Sequence, residues 1–452
     1  MNRFATIPQV ETIVSDILLS RWISVLGRPV VLDEIRTVIA EIRKGLKEKG
    51  DKFDIDRTTI VRLVDERCGK LALQIPRRVI NGTGILIHTN LGRSPISEST
   101  WNNALESNCR YATVEFNLET GKRGNRAELM TRILQKMTGC EHGIVVNNNA
   151  AAMFLLLASI AKGKRVLVSR GELVQIGGGF RIPEILAQSQ ATLVEVGTTN
   201  ITTIDDYLDN IDDQSAMVLK VHRSNFAIRG FTREVSVDAL AARLPKHVLL
   251  AVDQGSGATE DTVPGETSIR KLFEQGAHIV TFSTDKLLGS VQAGIICGKQ
   301  SIVESIAQHP LYRVVRPGKT VLTLLRQSLV DRINKIPAIT ERLARRTPGD
   351  LLRMGQKIIV ALHDSRASIV PSTMYWGGGS SPDEAIDAMA VRIELPGCAL
   401  SVAASLRKEP IPVIAYVSDD ALMINLGAVF DDELDCIATS LKSVLEKLSC
   451  TS

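Results

Sequence analysis

The stretch HIVTFSTDKLLG, residues 278–289, joins a short apolar run to a lysine. Ile279, Val280 and Phe282 are typical of a buried β-strand, and Lys286 follows that strand directly. Burying an unpaired ammonium is costly, so a lysine at such a position is uncommon. A Schiff base with an aldehyde removes much of that cost and makes a nucleophile that works at neutral pH. Taken alone, Lys286 has a second interpretation, a sheet-edge lysine whose amine reaches solvent.

The same pattern extends outward over residues 76–330, where short apolar runs alternate with amphipathic stretches. The runs are rich in β-branched residues and end in Gly, Asn, Ser or Asp, which predicts buried strands of a mainly parallel sheet flanked by helices. In sheets of this kind the ligand binds beyond the carboxyl ends of the strands. The polar residues that follow each run are therefore the candidates for chemistry.

Two further strand ends carry groups that suit one cofactor. Residues Asn147–Ala151 join a predicted strand to a helix, and the free N–H groups of a helix N-terminus suit a phosphate. Asp253 ends the run LLAVD, and a carboxylate beside a pyridine nitrogen keeps that nitrogen protonated. An Asn-rich helix cap and a capping or metal-binding Asp are the alternatives. The order of phosphate loop, acid and lysine resembles pyridoxal phosphate (PLP) enzymes of fold type I, the aminotransferase-like group.

Length and composition bound the remaining possibilities. A chain of 452 residues predicts two or three domains, and 44% hydrophobic with 23% charged residues is ordinary for a globular protein. The net charge of +4 permits an anionic partner, and 4% aromatic residues argue against a groove that stacks single-stranded bases. The seven cysteines form no C-x-x-C pair, so we predict no metal site. We expect no transmembrane helix and no secretory signal, and hence a cytoplasmic protein.

The pattern changes at both ends of the predicted sheet domain. Residues 1–75 have helical apolar spacing and a small basic cluster, for which a solvated helix face is the simple interpretation. Residues 331–452 begin with a charged helical stretch, continue with three predicted strands and close with a helix, which indicates a smaller α+β domain. We therefore predict an N-terminal helical domain (1–75), a large PLP-binding domain (76–330) and a small C-terminal domain (331–452).

Several long segments resemble bacterial selenocysteine synthase, L-seryl-tRNA(Sec) selenium transferase. They are RRVINGTGILIHTNLGRSPIS (77–97), IVVNNNAAA (144–152), LVSRGELVQIGGGFRIPEI (167–185), EVGTTN (195–200), VHRSNFAIRGF (221–231), DQGSG (253–257) and STDKLLGSVQAGIICGK (283–299). The resemblance also covers the helical N-terminal segment and the GGGSSP loop of the C-terminal part. It implies conversion of L-seryl-tRNA(Sec) to L-selenocysteinyl-tRNA(Sec) with selenophosphate and PLP, by β-elimination to an aminoacrylyl intermediate and addition of selenium.

The resemblance also implies roles for single residues. Lys286 matches the Schiff-base lysine and Asp253 the acid under the pyridine nitrogen. The phosphate cradle is matched by Asn148, Asn149 and Ala150, and other cofactor-pocket positions by Thr198, Thr199, Asn225 and Ser283. The basic residues around the phosphate of the selenium donor are matched by Arg93, Arg313 and Arg316. Arginine suits this work because its planar fork binds phosphate oxygens in pairs and stays charged. Arg313 and Arg316 are three positions apart, so on a helix they would share a face.

The family further implies partners and assembly. Its members form ring-shaped homo-oligomers built from dimers, with active sites between subunits, and their N-terminal domain grips the tRNA. For this chain the resemblance therefore implies a serine-charged selenocysteine tRNA and selenophosphate as partners, a homo-oligomer, and residues 1–75 as the tRNA-binding domain.

Some positions depart from the family pattern and leave alternatives open. Thr284 stands where a glycine is usual, Ser290-Val291 where Gly-Pro is usual, and Arg223 where a threonine is usual. Changes beside the lysine raise a second hypothesis, a paralogous PLP lyase that acts on a small phosphorylated amino acid or amino sugar without tRNA. The N-terminal helical segment argues against that lyase. A third hypothesis, a non-catalytic tRNA-binding or scaffold protein, does not explain the retention of Lys286 and Asp253.

Overall fold

The computed structural model describes residues 7–49, 56–124, 128–176, 179–223, 228–378 and 380–449. The chain forms two compact units, Met1–Arg78 and Val79–Ser452. None of the helices within the described ranges combines the length and apolar character needed to cross a bilayer.

The first unit is helical. Asp16 begins one helix by accepting a hydrogen bond from the backbone N–H of Leu18 (3.1 Å), and Asp56 begins another by accepting from Thr59 (2.8 Å). Fully buried aliphatic side chains from all the helices form its core. Its described helices are α1 (Val10–Val14), α2 (Ile17–Leu26), α3 (Arg28–Lys49) and α4 (Arg57–Ala72).

The second unit contains the remaining helices and all of the described strands. The strands are β1 (Ile80–Asn81), β2 (Ile85–Ile87), β3 (Phe116–Asn117), β4 (Lys122–Arg123), β5 (His142–Val146), β6 (Arg165–Ser169), β7 (Gln175–Ile176), β8 (Phe180–Arg181), β9 (Thr192–Val196), β10 (Ser215–Val221), β11 (Leu249–Gly255), β12 (Ile279–Ser283), β13 (Gly294–Gly298), β14 (Ala367–Gly377), β15 (Ser380–Glu394), β16 (Val413–Ile414), β17 (Tyr416–Ser418) and β18 (Ala421–Asn425). The helices are α5 (Glu98–Cys109), α6 (Glu128–Thr138), α7 (Asn149–Ile160), α8 (Ile182–Gln188), α9 (Ile204–Leu208), α10 (Val237–Arg243), α11 (Ile269–Glu274), α12 (Gln300–Gln308), α13 (Pro310–Val314), α14 (Lys319–Ile333), α15 (Ile339–Ala344), α16 (Pro348–Leu362), α17 (Ala399–Leu406) and α18 (Leu434–Ser449).

The predicted sheet is present within the described residues as seven strands in the order β5-β13-β12-β11-β10-β6-β9. Neighbours are parallel except for β13, which runs antiparallel to both β5 and β12. Alternate side chains enter two different cores: Val218, Val252 and Val280 pack on one face, and Leu219 and Ala251 on the other. Burial on both faces explains the continuous apolar runs of the sequence.

A second sheet has the described order β17-β18-β15-β14-β2 and packs against α16 and α17, which in turn pack against α18. It recruits β2 from a point in the chain that precedes the large sheet, because Ile85 pairs in parallel with Tyr375 of β14. Helix α14 crosses residue 330, and Leu322, Leu325 and Leu329 of that helix belong to the core of the large sheet. The limits 76–330 and 331–452 for a large and a small domain therefore stay a prediction.

Candidate active site

The three polar segments predicted at strand ends lie at one edge of the large sheet. Asp253 lies near the carboxyl end of β11, Lys286 follows the end of β12, and Asn148 follows the end of β5. The carboxyl ends of parallel strands point to the same edge, so the fold gathers residues separated by more than a hundred positions.

Asp253 is a buried carboxylate, 2% exposed, and it is anchored from two sides. The side-chain amide of Asn149 donates to its Oδ1 at 2.7 Å, and the Thr281 hydroxyl donates to the same atom at 3.3 Å. Burial raises the pKa of Asp253, while the hydrogen bond from Asn149 and the charge of Lys286 oppose that rise. A carboxylate in this setting calls for a positive partner, which a protonated pyridine nitrogen supplies.

Lys286 is also buried, 8% exposed. Its backbone carbonyl accepts from the N–H of Gly289 at 3.0 Å, but its side-chain amine makes no hydrogen bond or ion pair with any residue that the structure describes. Burial lowers the pKa of its amine, and the charge of Asp253 opposes that change. A lowered pKa increases the share of neutral amine, which is the nucleophilic form. The side chain therefore fits a lysine that bonds to an aldehyde.

Helix α7 begins at the phosphate cradle. The side chain of Asn148 accepts from the backbone N–H of Ala151 at 2.8 Å and so caps the helix. The first N–H groups of a helix have no partner within it, and they leave Asn149 and Ala150 able to bind an anion. The buried Oδ1 of Asn149 has no hydrogen-bond partner in the described chain. The free N–H groups at the start of α7 fit the phosphate of PLP, and the buried Asp253 and Lys286 fit its ring nitrogen and aldehyde.

Arg93 lies beside the lysine loop but is already paired. Its guanidinium is 2.6 Å from Oδ2 of Asp285, and the backbone N–H of Ser94 donates to the Asp285 carbonyl at 3.1 Å. Arg93 has a φ of 65°, a left-handed conformation that few non-glycine residues adopt. The hydroxyl of Ser283 donates to the other oxygen of Asp285 at 2.7 Å. Ser283 therefore contacts this carboxylate.

Sequence reasoning passed over Asp285. The signal available was an acidic residue directly before a strand-end lysine. Nothing in the sequence indicated that its partner would be Arg93, 192 positions away.

Arg313 and Arg316 do not share a helical face. Helix α13 ends at Val314, so Arg316 lies beyond it, and the conditional expectation of a shared face is wrong. The guanidinium of Arg316 is 3.3 Å from Glu115, whereas Arg313 is exposed. The segment is attached to the cradle because the backbone N–H of Asn147 donates to the carbonyl of Val315 at 2.8 Å. No described contact joins either arginine to Lys286.

The remaining predicted pocket residues lie farther along the same edge or outside the described residues. Thr198 and Thr199 follow β9, the outer strand of the sheet, and both are exposed. The Thr198 hydroxyl donates to the carbonyl of Ile201 at 3.0 Å, which closes a turn. Asn225 lies outside the described residues, and the preceding Arg223 is 2.7 Å from Glu234.

Of the residues that depart from the family pattern, Arg223 and Val291 are partly exposed, whereas Thr284 and Ser290 are buried. Thr284 is fully buried, and its hydroxyl donates to the carbonyls of Val291 and Ala293, so it ties together the two ends of the lysine loop. The hydroxyl of Ser290, 1% exposed, donates to Ser328 at 2.9 Å. These substitutions support the loop that carries Lys286.

The chain is similar to known proteins over most of its length. The family model described as L-seryl-tRNA selenium transferase matches residues 79–430. The L-seryl-tRNA(Sec) selenium transferase of Moorella thermoacetica is 40% identical over 439 residues, which cover 92% of this chain and 93% of that protein. The enzyme of the same name from Geobacter metallireducens is 36% identical over 463 residues, covering 99% and 100%.

A solved structure supports the fold. D-Glucosaminate-6-phosphate ammonia-lyase superposes with a TM-score of 0.61 and 19% identity, over 83% of this chain and 98% of that one. Together with the observed strand order, this likeness confirms the predicted α/β, aminotransferase-like class, fold type I of the PLP enzymes. The identity to the transferases and the span of the family match establish that the chain belongs to the L-seryl-tRNA selenium transferase family.

Proposed function

We propose that this chain converts L-seryl-tRNA(Sec) to L-selenocysteinyl-tRNA(Sec), with PLP as cofactor and selenophosphate as selenium donor. The observation that carries the proposal is the buried, unpaired Lys286 beside the buried Asp253, in a chain of the L-seryl-tRNA selenium transferase family. When bound, PLP withdraws electrons from the α-carbon of an attached amino acid.

The cofactor-binding residues have separate tasks. The amine of Lys286 would hold the aldehyde of PLP, and as a free amine it would take the proton from the α-carbon of the substrate as a general base. Asp253 holds the proton on the pyridine nitrogen, and Asn149 fixes its carboxylate by the 2.7 Å hydrogen bond. The N-terminus of α7, from Asn148 to Ala150, binds the phosphate. Thr198, Thr199, Asn225 and Ser283 stay proposed pocket residues.

The selenium donor is a phosphate compound and needs fixed positive charge. We assign its binding to Arg93, Arg313 and Arg316. Two of these are paired in the structure, Arg93 with Asp285 and Arg316 with Glu115, so donor binding has to share or replace those carboxylates. Arg313 is exposed, which favours it as the first contact of the donor.

Residues 1–75 are the proposed tRNA-binding domain. Arg43, Lys44 and Lys47 are exposed on helix α3, where they can contact phosphates. Among the described ion pairs, these contacts would break only that of Lys44 with Glu48. That pair is exposed and 4.0 Å long, so it contributes little. A cytoplasmic homo-oligomer, a ring of dimers, completes the proposal.

The alternative is a PLP lyase that acts on a small phosphorylated amino acid or amino sugar without tRNA. The likeness of the fold to D-glucosaminate-6-phosphate ammonia-lyase is its one supporting observation. Against it, the departures at Thr284 and Ser290 are buried, and their hydroxyls bond within the protein, which supports the lysine loop.

A gel-shift titration of the full chain separates the two functions. We expect selenocysteine tRNA to be bound at least about tenfold more tightly than serine tRNA, a difference of about 1.4 kcal/mol. Both titrations should use the PLP-loaded protein at one fixed salt concentration, since affinity for RNA depends on salt. Equal or absent binding of the two tRNAs, with PLP still bound, would favour the lyase.

A further inference from the structure

A buried carboxylate lies behind the end of strand β11. The side chain of Glu266 is fully buried, and its Oε2 accepts from the Ser256 hydroxyl at 2.5 Å and from the Gln254 amide at 3.2 Å. Gln254 directly follows Asp253 in the strand. Two neutral donors do not compensate a buried negative charge, so a nearby cation would stabilise the carboxylate form.

His222 is the group that supplies that cation. Its Nε2 is 3.1 Å from Oε1 of Glu266, an ion-pair distance, and neither atom makes a hydrogen bond of good geometry, to the other or to any other group in the described chain. Burial lowers the pKa of His222, but the contact with Glu266 and the charge of Glu266 raise it, and the net result is a raised pKa. The raised pKa therefore favours the protonated form of His222, which faces the carboxylate of Glu266.

The other charged groups around His222 are accounted for within the described residues. His222 lines a cavity of about 460 Å³ that lies at the carboxyl ends of β10 and β11. Lys220 pairs there with Glu172, and Arg223 pairs with Glu234. The further charged group in the lining, Glu384, is exposed to solvent.

The pair is connected to Asp253 through the backbone. The N–H of His222 donates to the carbonyl of Asp253 at 2.9 Å. Glu266 accepts from the side chain of Gln254, the residue that follows Asp253 in the strand. The positive charge of His222 also lowers the pKa of Asp253, opposing the effect of burial. The pair therefore both holds the strand end and favours the ionised carboxylate.

We propose that His222, charged and held by Glu266, is a positioning residue that keeps Asp253 in place and ionised for the pyridine nitrogen of PLP. His222 acts from the opposite side of the strand, through Asp253, and does not touch the cofactor. This inference rests on the proposed function, because it requires that the chain binds PLP.

The test is a PLP titration of the full chain, stripped of cofactor, across a range of pH. Below the raised pKa of His222, we expect H222Q to bind PLP more weakly than the wild type, because Asp253 loses a nearby positive charge that lowers its pKa. Above that pKa the wild-type histidine has lost its proton, so the ratio of the two dissociation constants should approach one. E266Q removes the group that raises the pKa of His222. In that variant, the change in PLP affinity that accompanies deprotonation of His222 should therefore occur at lower pH. The double variant H222Q/E266Q should bind PLP no more weakly than H222Q alone.

His247→Gln is the matched control, because His247 is exposed and remote from Asp253 in the strand register. It should leave PLP affinity unchanged at every pH. A ratio for H222Q that is the same at all pH values, or that equals one throughout, overturns the inference. Thermal unfolding of each variant identifies any that fails to fold. If E266Q does not fold, the pH dependence of PLP binding by H222Q alone tests the inference. A wild-type chain that binds no PLP would instead refute the proposed function.

Discussion

At the scale of single residues, the site depends on burying charges that would otherwise stay in water. Lys286 and Asp253 are each less than a tenth exposed. Burial lowers the pKa of Lys286 and raises that of Asp253, so in both cases it favours the neutral form. A neutral lysine amine is a nucleophile, and a buried carboxylate binds a cationic ring nitrogen. Both residues lie at the same edge of one sheet.

Lys286→Ala tests the central assignment. We expect PLP-dependent activity to fall by about 10²–10⁴-fold or more, because the variant lacks both the Schiff-base amine and the general base. After borohydride reduction, peptide mapping should find the cofactor on Lys286 in the wild type and nowhere in the variant. Lys164→Ala, a change at an exposed lysine, is the control. Cofactor trapped on another lysine of the wild type would show that the assignment is wrong.

Arg313→Ala tests donor binding. Arg313 is exposed and has no ion pair in the described chain, so its removal should leave the fold and PLP binding intact. Loss of one charge-assisted contact of about 1.5–3 kcal/mol should raise the KM for selenophosphate by about 10- to 100-fold. Steady-state kinetics with varied donor measure this, with Arg345→Ala, another exposed arginine, as control. If the variant lost PLP and kept its affinity for the donor, Arg313 would be a cofactor-binding residue and not a donor-binding one.

At the scale of elements, the cradle depends on close contact between β13 and the start of α7. Gly294 lies on β13, and a Cβ there would be 2.2 Å from the carbonyl oxygen of Asn148 and 2.8 Å from the backbone nitrogen of Asn149. These are backbone atoms, which cannot move aside as a flexible side chain does. The absence of a side chain at Gly294 thus allows the helix N-terminus to approach the sheet edge.

Gly294→Ala should therefore displace the cradle. We expect a loss of about 1–3 kcal/mol in the free energy of unfolding, from overpacking, together with weaker PLP binding. Urea unfolding and a PLP titration measure the two effects. Gly349→Ala is the matched control, since the nearest atom to its added Cβ would be 3.7 Å away. Wild-type stability and PLP affinity in the Gly294 variant would contradict this role of the contact.

At the scale of the whole molecule, the chain combines a helical unit with a catalytic unit. The catalytic unit is tied together by its early residues, because β1 pairs with β16 and β2 with β14. The segment that leads into Arg93 is thereby part of the second sheet. The helical unit has its own buried core and needs no contact with the sheet to account for its packing.

Charge reversal on α3 tests the role of the helical unit. The variant R43E/K44E/K47E should bind selenocysteine tRNA at least about tenfold more weakly, and the salt dependence of binding should fall by about one unit of slope for each lost phosphate contact. PLP binding should not change, because these residues lie in the other compact unit. The control K164E/K246E/K442E makes the same change in charge at exposed lysines of the catalytic unit. Equal weakening by both variants would mean a general charge effect and no specific tRNA surface.

The sequence alone determined the class of fold and indicated the candidate PLP residues, because their signals are local. A β-branched run ending in Asp or Lys, and an Asn-rich strand-to-helix junction, can be recognised without knowing what lies nearby in space. The strand that carries Asp253 and the strand that precedes Lys286 were predicted correctly for this reason. The end of α13 at Val314 was not predicted, because a spacing of three is compatible with a helix or a loop.

Only the tertiary structure decided which charged groups meet. Arg93 and Asp285 are 192 positions apart, and the pairing of His222 with Glu266 depends on a loop returning behind strand β11. The inward direction of Thr284 was likewise decided by its bonds to Val291 and Ala293. Contacts of this kind depend on strand order and side-chain direction, which a linear pattern of residue types does not contain.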